Sequence, residues 1–229
     1  MQDESDIHKY FRDYATSRHK VFQADVDGFR DVLETAKSER APQLYLQEHP
    51  QLLCCFLRSG HGEWVVPQKR LGAEYVPDFV VGCGNSGGIF WNAIELESPN
   101  AKFVIKNGQP TRELRTAISQ IEDWRRWLES NLDYARRAPS RNGLGLEEIS
   151  PQIPSHIVIG RSSDLNARFN ALRKTYYERS MIEIITYDGL LERFAWIKNV
   201  VHPITSGDHR FDEMRSELLR NAGVKDHKT

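Results

Sequence analysis

The stretch that decides the fold covers residues 75–97 and reads YVPDFVVGCGNSGGIFWNAIELE. Two runs in it, residues 75–81 and 89–97, carry the period-two pattern and the β-branched and aromatic side chains that are typical of strands. A similar run at residues 64–66 precedes them. The sequence therefore predicts three consecutive strands.

The glycine-rich segment between the second and third predicted strands matches the dinucleotide-binding pattern GxGxxG letter for letter. It reads GCGNSG at residues 82–87. A dinucleotide-binding loop opens a helix whose first amides hold the pyrophosphate, whereas Gly88 leads directly into the next predicted strand. We therefore interpret the segment as the turn of a β-hairpin.

Helical patterns flank these strands on both sides. Pro42 suits the first turn of a buried helix that ends near residue 57, and Thr111 opens a long helix that ends near Arg137. Farther along, the pattern predicts a strand at residues 156–160, a helix at 165–177, a strand at 182–186 and a helix at 187–200. This order predicts an α/β fold in which helices flank a mixed sheet.

The chain divides by composition into three parts. Residues 1–40 are acidic on balance and carry apolar residues at helical spacing, which predicts an N-terminal extension of one or two amphipathic helices. Residues 41–200 hold the alternating helices and strands of the main domain. Residues 201–229 are polar, and we expect a frayed tail there.

The overall composition excludes several classes of protein. The 229 residues carry 31 lysines and arginines against 32 acids, a net charge of −1, which argues against a polycation that coats nucleic acid indiscriminately. No apolar run approaches the roughly 18 residues of a membrane span, and the acidic N-terminus is unlike a signal peptide. The three cysteines match no disulfide or metal-binding pattern. We therefore expect a cytoplasmic protein that does not enter the membrane.

Three carboxylates, Asp78, Glu95 and Glu97, lie on the second and third predicted strands. Alternate side chains of a strand share a face, so Glu95 and Glu97 point the same way, and hairpin pairing brings Asp78 beside them. Like charges at such a place repel unless a cation lies among them, and Mg²⁺ takes oxygen ligands of this kind. The spacing thus favours a metal site. The alternative is that these acids face solvent on an exposed side of the sheet.

An uncharged amide, Gln120, lies on the long predicted helix among apolar positions. Positions 113, 117, 120, 124 and 127 form one helical face, and the sheet is the obvious surface for that face to cover. A buried amide that lacks a partner costs about 1 kcal/mol or more, so we expect Gln120 to have one. The alternative is a position that faces solvent.

Basic residues concentrate after the third predicted strand. Residues 101–141 carry nine bases against five acids, whereas the first 50 residues are acidic on balance. The candidates for contact with DNA phosphates flank the proposed metal site: Lys102, Lys106, Arg112, Arg115 and Arg125. The alternative is that these side chains form the ordinary solvated face of a helix.

Five motifs, in order along the chain, resemble the nuclease domain of the Shedu anti-phage defence proteins, which belong to the PD-(D/E)xK phosphodiesterase superfamily. They are LQEHPQLL at residues 46–53, LGAEYVPDF at 71–79, IELESP at 94–99, AISQ at 117–120 and ITYDGLL at 185–191. The resemblance covers residues 41–195 and rests on the order of the motifs. It implies a restriction-endonuclease-like αβββαβ core, DNA cleavage assisted by Mg²⁺ or Mn²⁺, defence against phage, and a homo-oligomer, commonly a tetramer.

The resemblance also implies roles for individual residues. Asp78 matches the first metal ligand of the family, and Glu95 matches the second. Gln120 matches a helix glutamine that supports the catalytic site. Glu48 is a weaker match for an acid that some members of the superfamily contribute from their first helix.

Glu97 departs from the family pattern, which has a lysine there to orient or deprotonate the attacking water and to stabilise charge in the transition state. A carboxylate at this position either binds a second metal ion or acts as the base, or else Lys102 supplies the missing lysine. The sequence therefore predicts a metal-dependent DNA endonuclease. The alternative is a weakened or inactive nuclease-fold module for DNA binding or subunit assembly.

Overall fold

The computed structural model describes residues 6–58, 60, 62–106 and 108–205. Its helices are α1 (Asp6–Tyr10), α2 (Gln23–Thr35), α3 (Arg40–Glu48), α4 (Arg112–Arg136), α5 (Ala167–Ser180) and α6 (Tyr187–Thr205). Its strands are β1 (Ala15–Thr16), β2 (Gly62–Pro67), β3 (Phe79–Asn85), β4 (Gly88–Leu96), β5 (Ser155–Val158) and β6 (Ile182–Ile185). Residues 201–205 of the predicted tail continue α6, and the rest of that tail lies outside the described residues.

The six strands form one sheet in chain order, with β1 and β6 at its edges. Strands β1 to β4 pair antiparallel, whereas β4, β5 and β6 run parallel to one another. The predicted α/β fold with helices around a mixed sheet is confirmed. The two-residue strand β1 was missed, since so short a run carries no periodicity of its own.

The glycine-rich segment ends in the turn of a β-hairpin, as predicted, but its residues 82–85 continue β3. Asn85 pairs with Gly88, so only Ser86 and Gly87 form the connection. Gly88 opens β4 with a φ of 114°, a backbone conformation that residues other than glycine rarely adopt. The dinucleotide-binding interpretation is thereby excluded, because no helix begins at this turn.

Different helices cover the two faces of the sheet. In β4, Trp91 and Ala93 belong to the core beneath α4 and α5, whereas Ile94 and Leu96 belong to the core beneath α2, α3 and α6. The N-terminal extension contributes to both cores. Because strand residues alternate between faces, this packing leaves Glu95 on the side of α4.

The longest helix, α4, buries a face that differs from the predicted one. Its buried residues are Leu114, Ala117, Ile118, Ile121, Trp124, Arg125, Leu128 and Ala135. At 100° per residue this stripe is centred on Ile121, so Glu113 and Gln120 lie at its border rather than at its middle. Asn131 has a non-helical φ of −130° and kinks the helix near its end.

Neither α4 nor any other described helix is long and apolar enough to cross a membrane.

The helix predicted from Pro42 to residue 57 has two parts. Helix α3 ends at Glu48, and Pro50–Phe56 continues as a 3₁₀-helix. Proline lacks an amide hydrogen and disfavours the helical conformation in the residue before it, which explains the break at Pro50. Leu46 of α3 lies in the core that α2, α3 and α6 share with one face of the sheet.

Candidate active site

The three predicted carboxylates lie at one end of the sheet. Phe79 pairs with Ile94, so Asp78, directly before β3, is level with Glu95 of β4. Glu97 follows β4, and its amide donates a hydrogen bond of 2.8 Å to the carbonyl of Val158 at the end of β5. The hairpin register that the sequence predicted therefore places Asp78 beside Glu95.

Asp78 is held by two hydrogen bonds. The side-chain amide of Gln43 in α3 donates to its Oδ1 at 2.6 Å, and the backbone amide of Leu96 donates to its Oδ2 at 2.8 Å. Burial raises the pKa of Asp78 to about 6, the Leu96 amide opposes that rise, and the charge of Glu39 adds to it. The carboxyl is thus fixed in orientation although its environment disfavours its charge.

Glu95 is the most buried of the three acids, at 7% exposure. Among the described residues, its Oε2 has no hydrogen-bond partner. Burial raises its pKa well above the ordinary value, and the charges of Asp78 and then Glu97 raise it further. The backbone of Asp78 and the side-chain amide of Gln120 act in the opposite direction. Gln120 therefore has the polar partner that the sequence predicted for it.

Glu97 is half-buried beside further acids. Burial raises its pKa to about 7, and the charges of Glu39, Glu113 and Asp78 add to that effect. Its carbonyl accepts a hydrogen bond of 2.8 Å from the hydroxyl of Tyr187, the first residue of α6. Among the described residues, no basic side chain offsets the negative charges that act on Asp78, Glu95 and Glu97.

Two residues that act on this site, one at the N-terminal cap of α3 and one within α3, were not predicted from the sequence. Glu39, directly before α3, and Gln43 are four residues apart, a spacing that places both on one side of a helix start. That spacing was the available signal. Glu48, the candidate that the family pattern suggested on this helix, is exposed at the other end of α3, where its charge raises the pKa of Tyr45.

The predicted basic residues do not share one location. Lys102 and Lys106 are exposed and line a groove with Arg168 of α5, whereas Arg112 and Arg115 are exposed in the first turn of α4. Lys102 is not among the groups that shift the pKa of the three acids, so the structure does not place it as their countercharge.

Arg125, another predicted DNA contact, lies in the interior at 7% exposure. Its guanidinium donates to the carbonyls of Ser180 at 2.6 Å and Ile153 at 2.8 Å. It therefore ties α4 to the end of α5 and to the segment before β5. We correct the prediction and leave Arg125 out of the proposed DNA surface, because a side chain in this position cannot reach a phosphate.

The carboxylate oxygens of the three acids are chemically suited to bind a cation, although they do not form a complete set of ligands. Within the described part of the chain, no three Asp, Glu, His or Cys side chains are grouped as metal ligands. The buried Oε2 of Glu95, which has no partner in the described part of the chain, is nevertheless the kind of atom that a hard cation satisfies. No basic side chain of that part relieves the repulsion that Asp78 and Glu97 exert on Glu95. The residues present therefore fit one divalent cation that completes its ligands from outside the protein.

Comparison with known proteins identifies a family. The model of the family described as Shedu protein SduA, C-terminal, matches residues 36–191. No curated protein matches the chain. A structure of the restriction endonuclease FokI bound to DNA has a TM-score of 0.43 at 10% identity, covering 87% of this chain and 31% of that one. A second FokI structure has a TM-score of 0.42 at 9% identity, covering 87% and 32%. Similarity this distant carries no argument about activity.

Proposed function

The chain belongs to the Shedu protein SduA C-terminal family, and on that premise we propose that it is a divalent-metal-dependent DNA endonuclease acting in defence against phage. The proposed reaction is hydrolysis of a phosphodiester bond. The proposed cofactor is Mg²⁺, with Mn²⁺ as a substitute. The proposed assembly is a homo-oligomer such as a tetramer, as the family resemblance implies.

The observation that carries this proposal is uncompensated negative charge where β4 ends. Burial and then neighbouring acids raise the pKa values of Asp78, Glu95 and Glu97, and no basic side chain of the described residues lowers them. A divalent cation relieves this repulsion and also satisfies the buried oxygen of Glu95. Mg²⁺ commonly uses one or two protein carboxylates and takes its other ligands from water and substrate phosphate. A complete set of protein ligands is therefore not required.

The residues have separate roles in the proposed reaction. Asp78 and Glu95 hold the cation, which when bound polarises the scissile phosphate and makes a nearby water more acidic. Gln43 and the Leu96 amide orient Asp78. Glu97, half-buried beside the two proposed ligands, is the carboxylate that accepts a proton from the attacking water in this proposal.

A plasmid-cleavage assay tests the proposal. The purified chain is incubated with supercoiled DNA in Mg²⁺, Mn²⁺ or EDTA, and nicked and linear products are measured. We expect cleavage only with metal, and a loss of about a hundredfold or more in Asp78→Ala and in Glu95→Ala. Glu129→Ala, which removes an exposed acid of α4, is the matched control and should cleave like the natural protein. Robust cleavage by Glu95→Ala would contradict the assignment.

A second candidate function is a nuclease-fold module that binds DNA without cutting it. The environment of Glu97 favours it, since the family's lysine is absent there and the charges that act on Glu97 are acidic. Binding that weakens with salt, together with no turnover in any divalent ion, would support this candidate. A gain of cleavage in Glu97→Lys would identify the natural chain as a weakened form of the family pattern.

A further inference from the structure

We propose that a groove beside the candidate active site binds the sugar–phosphate backbone of the DNA substrate, an inference that rests on the proposed function. The basic groove, as we call it, is a cavity of about 740 Å³ between residues 102–111 and the start of α5. Three cations line it, Lys102, Lys106 and Arg168, and its described lining includes no acid. Such one-sided charge is what a polyanion requires.

The walls of the basic groove are fixed to each other. Phe103 stacks on Phe169 of α5 with ring centroids 3.9 Å apart, and both rings are buried. The Nη1 of Arg168 donates to the carbonyl of Lys106 at 3.1 Å, and Val104 pairs with Pro110 across a narrow loop. The backbone segments that carry the cations, and the side chain of Arg168, are therefore preorganised, which lowers the entropic cost of binding.

The first turns of two helices add to the positive potential. Thr111 caps α4 and Asn166 caps α5, each by accepting a hydrogen bond from a backbone amide of its own helix. Both caps line the basic groove. The helices have 25 and 14 residues, so each directs its partial positive charge toward the cavity that the three cations already define.

The shape and the apolar residues of the groove favour a backbone segment over a single phosphate ion. Val104 and Ile105 separate Lys102 from Lys106 along the chain, Ala167 adjoins Arg168, and all three line the groove, with Ile105 48% exposed. A DNA strand alternates anionic phosphates with largely apolar sugar faces, so apolar positions between cations match that repeat. A lone phosphate would contact the cations but leave the apolar residues and most of the cavity uncovered.

The chain connects the basic groove directly to the carboxylates. Ser98 follows Glu97, and its carbonyl accepts hydrogen bonds from the amides of Ala101 at 3.0 Å and Gly160 at 3.1 Å. Lys102 comes next along this tethered segment. The hydroxyl of Thr111, which caps α4 at the groove, donates to the carbonyl of Lys102 at 2.8 Å and so joins this segment to the groove wall. A strand bound in the groove is therefore directed toward the candidate active site, since Lys102 lies five residues after Glu97.

Fluorescence anisotropy with the full chain tests this inference. A labelled DNA duplex is titrated in EDTA, where no cleavage is expected, at a series of salt concentrations. We expect Arg168→Ala to weaken binding several-fold and to reduce the slope of log affinity against log salt by about 0.9, the value for one lost phosphate contact. Arg168→Lys, which keeps the charge, should retain the slope. Arg179→Ala, at the exposed far end of α5, is the matched control and should bind like the natural chain.

Three outcomes would overturn the inference. One is an unchanged salt slope in Arg168→Ala, and another is the same loss of slope in Arg179→Ala. The third is competition by polyglutamate as strong as that by unlabelled DNA, because it would assign the groove to acidic polymers in general. Cleavage separates the two proposals: DNA binding through Arg168 without any metal-dependent cleavage contradicts the proposed function alone, whereas normal cleavage with unaffected Arg168→Ala binding contradicts the inference alone.

Discussion

At the scale of single residues, the position of Glu95 lowers the stability of the fold and suits the proposed function. Its carboxyl is buried on the face of the sheet beneath α4, one oxygen lacks a partner among the described residues, and Asp78 and Glu97 repel its charge. A buried polar atom without a partner costs about 1–3 kcal/mol. Selection for stability alone would not keep a charged residue at this position, whereas a cation site requires one.

Glu95→Gln is therefore expected to stabilise the metal-free protein by about 1–3 kcal/mol at about pH 8, because glutamine fills the same space without charge. Urea denaturation in EDTA measures this difference. Glu129→Gln, on the exposed side of α4, serves as the control and should change stability little.

The stabilising effect of Glu95→Gln should depend on pH. Unfolded carboxyls lose their protons near their ordinary pKa values of 3.8 and 4.5, whereas Asp78 and Glu97 in the folded chain do so at about 6 and about 7. The folded state holds more protons across that interval, so these groups make the free energy of unfolding fall as pH rises from about 4 to about 7. The advantage of Glu95→Gln should grow as pH rises above about 4.5, because the folded chain keeps the proton of Glu95 to well above that ordinary pKa, whereas glutamine has no proton to lose. A variant less stable than the natural chain at high pH, or a difference independent of pH, would contradict this.

The carboxylates were predictable from sequence, and their supporting residues were only partly so. Alternation along a strand fixes which side Glu95 and Glu97 share, and the hairpin fixes the partner of the strand, so local rules suffice. Glu39 and Gln43 act on Asp78 from the start of α3. Gln43 precedes Asp78 by 35 residues, and only tertiary packing brings the two side chains together. The four-residue spacing places Glu39 and Gln43 on one side of the helix start, but it does not show that this side faces Asp78.

At the scale of elements, α4 shows how a correct helix can be assigned the wrong face. The predicted face included Gln120 at its middle, whereas the buried stripe is centred on Ile121 and includes Arg125. An arginine in the middle of a helix is predicted to be exposed, because arginine is almost never buried unless it is paired. Here two backbone carbonyls, of Ile153 and Ser180, supply the partners. Those carbonyls belong to other elements, which is why the sequence pointed to a DNA contact instead.

Arg125→Ala is expected to destabilise the fold by about 3 kcal/mol, since it leaves two carbonyls without their charged donor and opens space beneath α4. Arg126→Ala, its neighbour on the exposed side, removes only a surface ion pair with Asp123 and should change stability by less than about 0.5 kcal/mol. Urea denaturation compares the two variants. An equal loss of stability in the two variants would show that the hydrogen bonds of Arg125 stabilise the fold no more than a surface ion pair does.

At the scale of the whole molecule, the near-neutral charge of the chain conceals a separation of charge. Acids meet where β4 ends, at Asp78, Glu95 and Glu97, while Lys102, Lys106 and Arg168 line a groove along the segment that follows. A substrate that is a polyanion and a cofactor that is a cation would occupy neighbouring places on this surface. The net charge of −1 therefore excludes only indiscriminate coating of DNA.

The architecture was predictable at this scale because each element carried its own signal. The strands showed period two, the long helix showed its apolar stripe, and the ordered motifs indicated the family whose model matches residues 36–191. What the sequence could not show is how the N-terminal extension packs. Phe11 and Phe29 of that extension lie in the two different cores, an arrangement that depends on long-range contacts rather than on local pattern.

The central claim is that the acids where β4 ends hold a divalent cation, and a crystal structure with Mn²⁺ tests it most directly. Manganese gives an anomalous signal that distinguishes it from water and from the atoms of the protein. We predict an anomalous peak within coordination distance of both Asp78 and Glu95, and no such peak in crystals of the Glu95→Gln variant. A peak elsewhere in the natural protein, or none at saturating Mn²⁺, would contradict the claim.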